Sequence, residues 1–377
     1  MKTVLVFTAS FISLIICGCV KEFFPEIKES PYHVVIDGLI TDQPEVYTIR
    51  LSWSYPVTGN TGSPMTRCDV TVHDDLGNVY KFEESSIPGT YNSDPEIFRG
   101  KVGRIYTLHI NAKYATPKRY SYQSFPVEMK SVPPVDSLYY EKVLIKEATL
   151  EDVAKEGCQV FLNTYDPEGD CWFFRWDFTE TWRCQIPFDL VVNTNCWISN
   201  NSNKIIVKNT SSLSDSRVIR QPIVYISNET DRLAYRYSII VNQYSISENE
   251  FQYLDDIKKI TENVGSLYDL VPYSIPGNLF CVDDPGEQVL GYFSASAKTS
   301  KRIYVDEFFS GLENIYYPEC LDQKVERPGD MPYSGQNEWW WLIGYYGTWV
   351  TYKKWCADCT DRGTSLRPAF WVEPGYK

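Results

Sequence analysis

Apolar and polar positions alternate with a period of two through much of this chain. Thr48-Ile49-Arg50-Leu51-Ser52-Trp53, Cys68-Asp69-Val70-Thr71-Val72-His73 and Tyr106-Thr107-Leu108-His109-Ile110 each place one apolar set on one face, as a half-buried strand does. Residues 33–40 (HVVIDGLI) make a further short apolar strand. Asp74-Asp75-Leu76-Gly77-Asn78 separates the second of these runs from Val79-Tyr80-Lys81-Phe82, which predicts a hairpin. Gly- and Pro-rich punctuation stands at residues 56–64, 88–89 and 100–103. Short strands at this spacing predict an immunoglobulin-like β-sandwich over residues 32–131. The proline-bearing Ser131-Val132-Pro133-Pro134-Val135 is the expected linker after it.

Residues 132–377 read as a larger all-β domain with a helical insertion, so the fold class is mostly β. Strands are predicted at 137–143, 159–165, 171–182, 205–207, 218–226 and 235–244. No repeat period is visible, so a propeller is not predicted. The helix is predicted over 247–263. Ser247-Glu248-Asn249-Glu250 has the form of a capping box, in which Ser247 accepts from an early amide and Glu250 reaches back to the cap. Phe251, Leu254, Ile257 and Ile260 or Thr261 then recur at helical spacing. Residues 288–296 and 300–308 are expected to pair as late strands.

At the N-terminus the apolar pattern changes. Lys2 precedes a run at residues 4–16 interrupted only by Thr8, Ser10 and Ser13. It is too short for the ~20 residues of a membrane span and fits a signal peptide over residues 1–18. Ile16-Cys17-Gly18-Cys19 has the form of a lipobox, with small residues before a cysteine whose thiol takes a diacylglyceryl group. Cys19 is the expected lipid attachment, and stable anchoring follows from the ~0.8 kcal/mol that each buried CH₂ contributes. Residues 19–31, with charges and two prolines, form the expected tether. Membrane lipid is thus the first expected partner. A net charge of −13 argues against nucleic acid as another.

Of the 11 cysteines, Cys17 leaves with the signal peptide and Cys19 is acylated. An odd set remains, and in an exported protein these are disulfide candidates. Cys184 with Cys196 is one expected pair, and Cys320 with Cys356 or Cys359 another. Cys68, in a strand, is the expected buried thiol. Cys356-Ala357-Asp358-Cys359 has neither the βαβ setting of a redox motif nor a second pair at zinc-ligand spacing, so a structural role is expected. Asp166-Pro167-Glu168-Gly169-Asp170 and Asp283-Asp284-Pro285-Gly286-Glu287 lack the ligand frame of a calcium loop and read as turns. No metal or cofactor is expected.

Glu338-Trp339-Trp340-Trp341 is the densest aromatic run. Neighbouring side chains on a strand face opposite ways. Trp339, Trp340 and Trp341 therefore stand as ligand or partner contacts, or as a run covered on both faces. His33, His73 and His109 have no nucleophile motif beside them, and no GxSxG, HExxH or phosphate loop occurs, so the chain is not expected to be an enzyme.

The lipobox, the VVIDGLITD opening strand, PGTY, VGRIYTLHI, the YSISENEF helix start, GNLF, VLGYFSAS and the ending CADCT…RG…PAFW together resemble one family. It is the Bacteroidota lipoprotein family called domain of unknown function 4249. Lys21-Glu22 behind the cysteine also resembles the surface-export signals of such lipoproteins. The resemblance implies an outer-membrane, surface-exposed lipoprotein that acts as a binding or accessory subunit of a TonB-dependent nutrient transporter. A stand-alone surface module for glycan or protein, or a hydrolase with scattered carboxylates, is the alternative. No catalytic residues are implied.

Overall fold

The computed structural model describes residues 32–54, 63–112, 120–150, 152–185, 193–262, 275–312 and 358–373, with the backbone of 323–325, 339–343 and 349–353. Eight strands come first: β1 (Val34–Thr41), β2 (Thr48–Trp53), β3 (Asp69–Asp74), β4 (Val79–Glu84), β5 (Thr90–Ser93), β6 (Ile105–Asn111), β7 (Ser121–Ser124) and β8 (Val127–Glu128). The alternating runs bury the expected faces: Tyr106, Leu108 and Ile110 point inward from β6, and Val70 and Val72 from β3. The predicted β3–β4 hairpin forms, with Gly77 at φ +84° in its turn, a conformation L side chains rarely adopt.

There follow β9 (Val135–Lys146), β10 (Lys155–Asp166), β11 (Phe173–Gln185), β12 (Asn195–Asn201), β13 (Ile206–Asn209), β14 (Ser216–Ile226) and β15 (Tyr237–Ser245). Helix α1 (Glu248–Glu262) comes next, then β16 (Leu279–Cys281), β17 (Val289–Ser296), β18 (Lys298–Val305), β19 (Gln323–Val325), β20 (Trp339–Ile343) and β21 (Trp349–Lys353). The chain is mostly β, as its alternation predicts.

The first sheet corrects the expected boundary at residue 131. It has ten strands in the order β16-β7-β6-β3-β4-β5-β2-β1-β17, with β8 on β6, so two of its strands come from far down the chain. β17 lies parallel to β1, with Val34 opposite Val289 and Thr41 opposite Ser296. The sheet curls until its two ends meet. Asn278 closes the gap by imitating a strand: Phe293 N donates to its Oδ1 at 2.9 Å, its Nδ2 donates to Phe293 O at 2.8 Å, and its backbone oxygen accepts from Phe125 N. Leu279, Cys281, Val289 and Phe293 are members of the same core as Ile36, Leu51 and Val72. Strands β17 and β18 do not pair with each other. Ala297 alone separates them, and β18 turns away to pair with β15.

The second core lies between a three-stranded sheet, β14-β10-β9, and a five-stranded one, β12-β11-β15-β18 with β13 on β11. From β11, Phe174, Trp176, Phe178 and Trp182 face this core while Arg175, Asp177 and Thr179 face outward. A buried polar network crosses it. Trp176 Nε1 donates to Gln243 Oε1 at 2.9 Å, and Gln243 Nε2 donates to Thr164 Oγ1 at 3.0 Å and to Pro133 O at 2.8 Å. The proline linker is therefore fixed to the second core.

Candidate functional site

Helix α1 begins as predicted. Ser247 is its N-cap, and its hydroxyl accepts from Glu250 N at 3.1 Å. The second half of the expected capping box does not follow. Glu250 turns inward: its Oε1 lies 3.7 Å from Arg175 Nη1, and its Oε2 is buried with no hydrogen-bond partner. The apolar stripe faces inward but is only shallowly covered: Phe251, Leu254, Ile257 and Ile260 are half-buried while Gln252, Asp256 and Lys259 are exposed. The one fully buried residue of the helix is this carboxylate, 2% exposed. Burial pushes its pKa up from 4.5, and the Arg175 guanidinium opposes that.

Arg175 divides two hollows. The first, of about 400 Å³, lies between α1 and the outer face of β1, β2 and β17. Asp37, Thr48 and Arg50 line it from β1 and β2, and Glu250 and Tyr253 from the helix. Tyr292 and Ser294 complete it from β17, and the rings of Tyr253 and Tyr292 stand 5.0 Å apart. The second hollow, of about 380 Å³, runs along the outer face of β11. It takes Asp177 and Thr179 from β11, Asn201 from β12, Asn242 from β15, and Lys204. Arg175 and Leu254 belong to both. The polar side chains of the second hollow are held in cross-strand pairs: Asn242 Nδ2 donates to Asp177 Oδ1 at 2.7 Å, and Thr179 Oγ1 to Asn201 Oδ1 at 2.8 Å. Among the described residues no group of three or more His, Cys, Asp or Glu side chains is placed to hold a metal ion.

A family model described as Domain of unknown function (DUF4249) matches residues 20–302. The chain belongs to this family. No curated protein matches the chain. All residues lining the two hollows fall within the DUF4249 match, which takes in β1 to β17 and most of β18. The aromatic run and the terminal CADCT segment lie beyond it.

The residues singled out in the sequence fall in different places. Cys19, Cys320 and Cys356 lie outside the described residues. Trp339, Trp340 and Trp341 form most of β20, whose backbone pairs with β21 so that Trp340 is opposite Tyr352. The cysteine pairing differs from expectation. Cys184 and Cys196 face each other in register across β11 and β12, yet Cys196 bonds to Cys359. Asp358 caps the turn that presents Cys359, accepting from Thr360 N at 2.9 Å. Cys184 lies beside Arg362 and Asp231, with its thiol pushed up to about 11 by burial. Cys68 is a buried thiol, as predicted, also raised to about 11 by burial.

The two acidic turns serve the backbone. Asp166 accepts from Cys171 N at 2.7 Å and Glu168 N at 3.2 Å. Asp283 accepts from Ser121 N at 2.6 Å, and Asp284 from Tyr120 Oη at 2.9 Å. His73 and His109 stack at 4.0 Å on the first sheet, with Thr71 Oγ1 3.1 Å from His73 Nε2, and neither lines a hollow.

Sequence reading missed Arg175, Asp177 and Glu250. Arg175 and Asp177 sit in an aromatic strand whose alternation signals only that they face away from the core. Glu250 carries a capping pattern, which gives a carboxylate at that position a sufficient local explanation.

Proposed function

We propose that this chain is an exported binding protein, anchored in the outer membrane of a Bacteroidota cell through acylated Cys19, facing the surface, and serving as the accessory subunit of a TonB-dependent nutrient transporter. It binds and presents a ligand rather than transforming it. The observation that carries this reading is the pair of hollows meeting at Arg175. They lie where the first sheet, the helix and the five-stranded sheet come together, in a chain that the lipobox anchors to the membrane. The Cys196–Cys359 disulfide supports an oxidising compartment, where such bonds persist. Among the described residues no helix is long and apolar enough to cross a membrane. The acidic net charge favours small ligands and protein over nucleic acid.

The test is extraction of the native membrane with mild detergent and capture of the tagged full chain. A transporter barrel is expected to co-purify, and Cys19→Ser is expected to release the protein from the membrane fraction. Repeated capture without a barrel sinks the accessory role, and a Cys19→Ser protein that stays membrane-bound sinks the anchor.

A further inference from the structure

The paired hollows are lined by as many positive side chains as negative ones. Arg50, Arg175 and Lys204 stand against Asp37, Asp177 and Glu250. A phosphate or carboxylate ligand spanning the cleft meets a carboxylate in each hollow beside the cations, and an amine has the converse problem. A hydrophobic ligand leaves the charged and amide groups without water. A ligand hydroxyl suits every one of these groups, because it donates to a carboxylate and accepts from a guanidinium.

Two further features narrow the choice. Glu250 is a buried carboxylate held 3.7 Å from Arg175 at the edge of the first hollow. The carboxylate lines the first hollow beside Arg175, where a ligand hydroxyl meets the ion pair. The Tyr253 and Tyr292 rings, 5.0 Å apart, supply in the same hollow an apolar surface bordered by polar groups. That combination matches a ring whose faces carry C–H and whose edges carry O–H. We propose that the cleft on either side of Arg175 binds a neutral carbohydrate, and that its two hollows take neighbouring sugar units of an oligosaccharide. The inference rests on the reading of the chain as a ligand-presenting protein and adds the ligand class and the site.

The experiment uses the full lipidated chain in a sugar-free detergent such as lauryldimethylamine oxide. Titration calorimetry is run with maltohexaose, cellohexaose, xylohexaose and chitohexaose, and with tetraglycine and inorganic phosphate as zwitterionic and anionic comparators. At least one neutral oligosaccharide is expected to bind at millimolar concentration or below. Arg175→Ala is expected to weaken it about tenfold or more. Glu250→Gln keeps shape while removing the charge, and is expected to weaken binding without lowering the melting temperature. Arg50→Ala changes a side chain that is 66% exposed, which keeps the fold secure, and is also expected to weaken binding. The proposal is overturned if no neutral oligosaccharide binds, if only tetraglycine or phosphate binds, or if sugar binding is unchanged in all three variants. Should a transporter co-purify while every sugar fails, the ligand class falls and the accessory role stands.

Discussion

Cys196 has two thiols within the reach of its neighbourhood, and the choice between them is decided by the tail. A partner in register on the next strand is the one that sequence proximity suggests. The pairing with Cys359 instead joins residues 163 positions apart and fastens residues 358–373 to the β12 edge of the five-stranded sheet, where Trp197 and Thr364 exchange backbone hydrogen bonds. Closing so long a loop restricts the unfolded chain strongly. Replacing both Cys196 and Cys359 by Ser is expected to lower stability by ~2–5 kcal/mol, read from urea unfolding against the oxidised parent. A parent whose midpoint does not change on reduction contradicts this. Glu250 poses the opposite case, a residue that weakens the fold. Its pKa is raised by burial, so the folded state holds its proton more readily than the unfolded chain does. Its contribution is most favourable below the ordinary value of 4.5 and is lost as pH rises through the folded value. Glu250→Gln is therefore expected to match or exceed the parent's urea midpoint at neutral pH, with the gap closing toward acid pH. A midpoint clearly below the parent's at neutral pH contradicts a functional carboxylate held at a cost to stability.

Among the elements, β15 shows how a strand can be both core and connector. Gln243 is wholly buried and has its amide engaged on three sides: the indole of Trp176, the hydroxyl of Thr164 and the carbonyl of Pro133. Gln243→Leu retains the volume and removes every bond. The expected loss is ~2–4 kcal/mol, since a buried donor and a buried acceptor each lose their partner. Thermal unfolding checks it, and a loss below ~0.5 kcal/mol, the range of a neutral surface change, speaks against the clamp. The strands themselves are legible in the order of the amino acids, because alternation is a local property. β3 and β6 bury the residues their pattern selects, and α1 starts where Ser247 signals it. Long-range pairing has no such signature. Nothing in Val34–Thr41 or Val289–Ser296 distinguishes a parallel neighbour from an antiparallel one, and Lys298–Val305 suits a hairpin with β17 as well as its actual place beside β15. The site is illegible for a related reason. Its members come from β1, β2, β11, β12, β15, β17 and α1, each ordinary where it stands, and only the pairing of β17 with β1 and the placing of α1 against both sheets bring them around Arg175.

At the scale of the whole molecule, the chain makes its first core, builds the second, and then returns to complete the first. The return is fastened at the corner where β17 becomes β18. Lys298 N donates to Asp42 Oδ1 at 2.9 Å, Lys298 Nζ reaches Glu45 at 2.9 Å, and Gln43 Nε2 donates to Lys298 O at 2.9 Å. The first core therefore takes strands that the chain supplies only after the second, and the first hollow is lined from both. A fragment ending at residue 131 lacks β16, β17 and the Asn278 clip. It leaves β1 with an unpaired edge and strips Phe293, Ala295 and Val289 from against Ile36 and Ile49, each large side chain representing ~1.5–3 kcal/mol of burial. An open strand edge beside an apolar core is also a site of aggregation. Residues 32–131 alone are expected to lack cooperative urea unfolding and to self-associate on gel filtration. The same segment joined by a Gly-Ser linker to residues 275–297 is expected to recover a cooperative transition. Cooperative unfolding of the short fragment, with no gain from the added strands, would mean that the first sandwich closes without them and that the return of the chain serves the cleft alone.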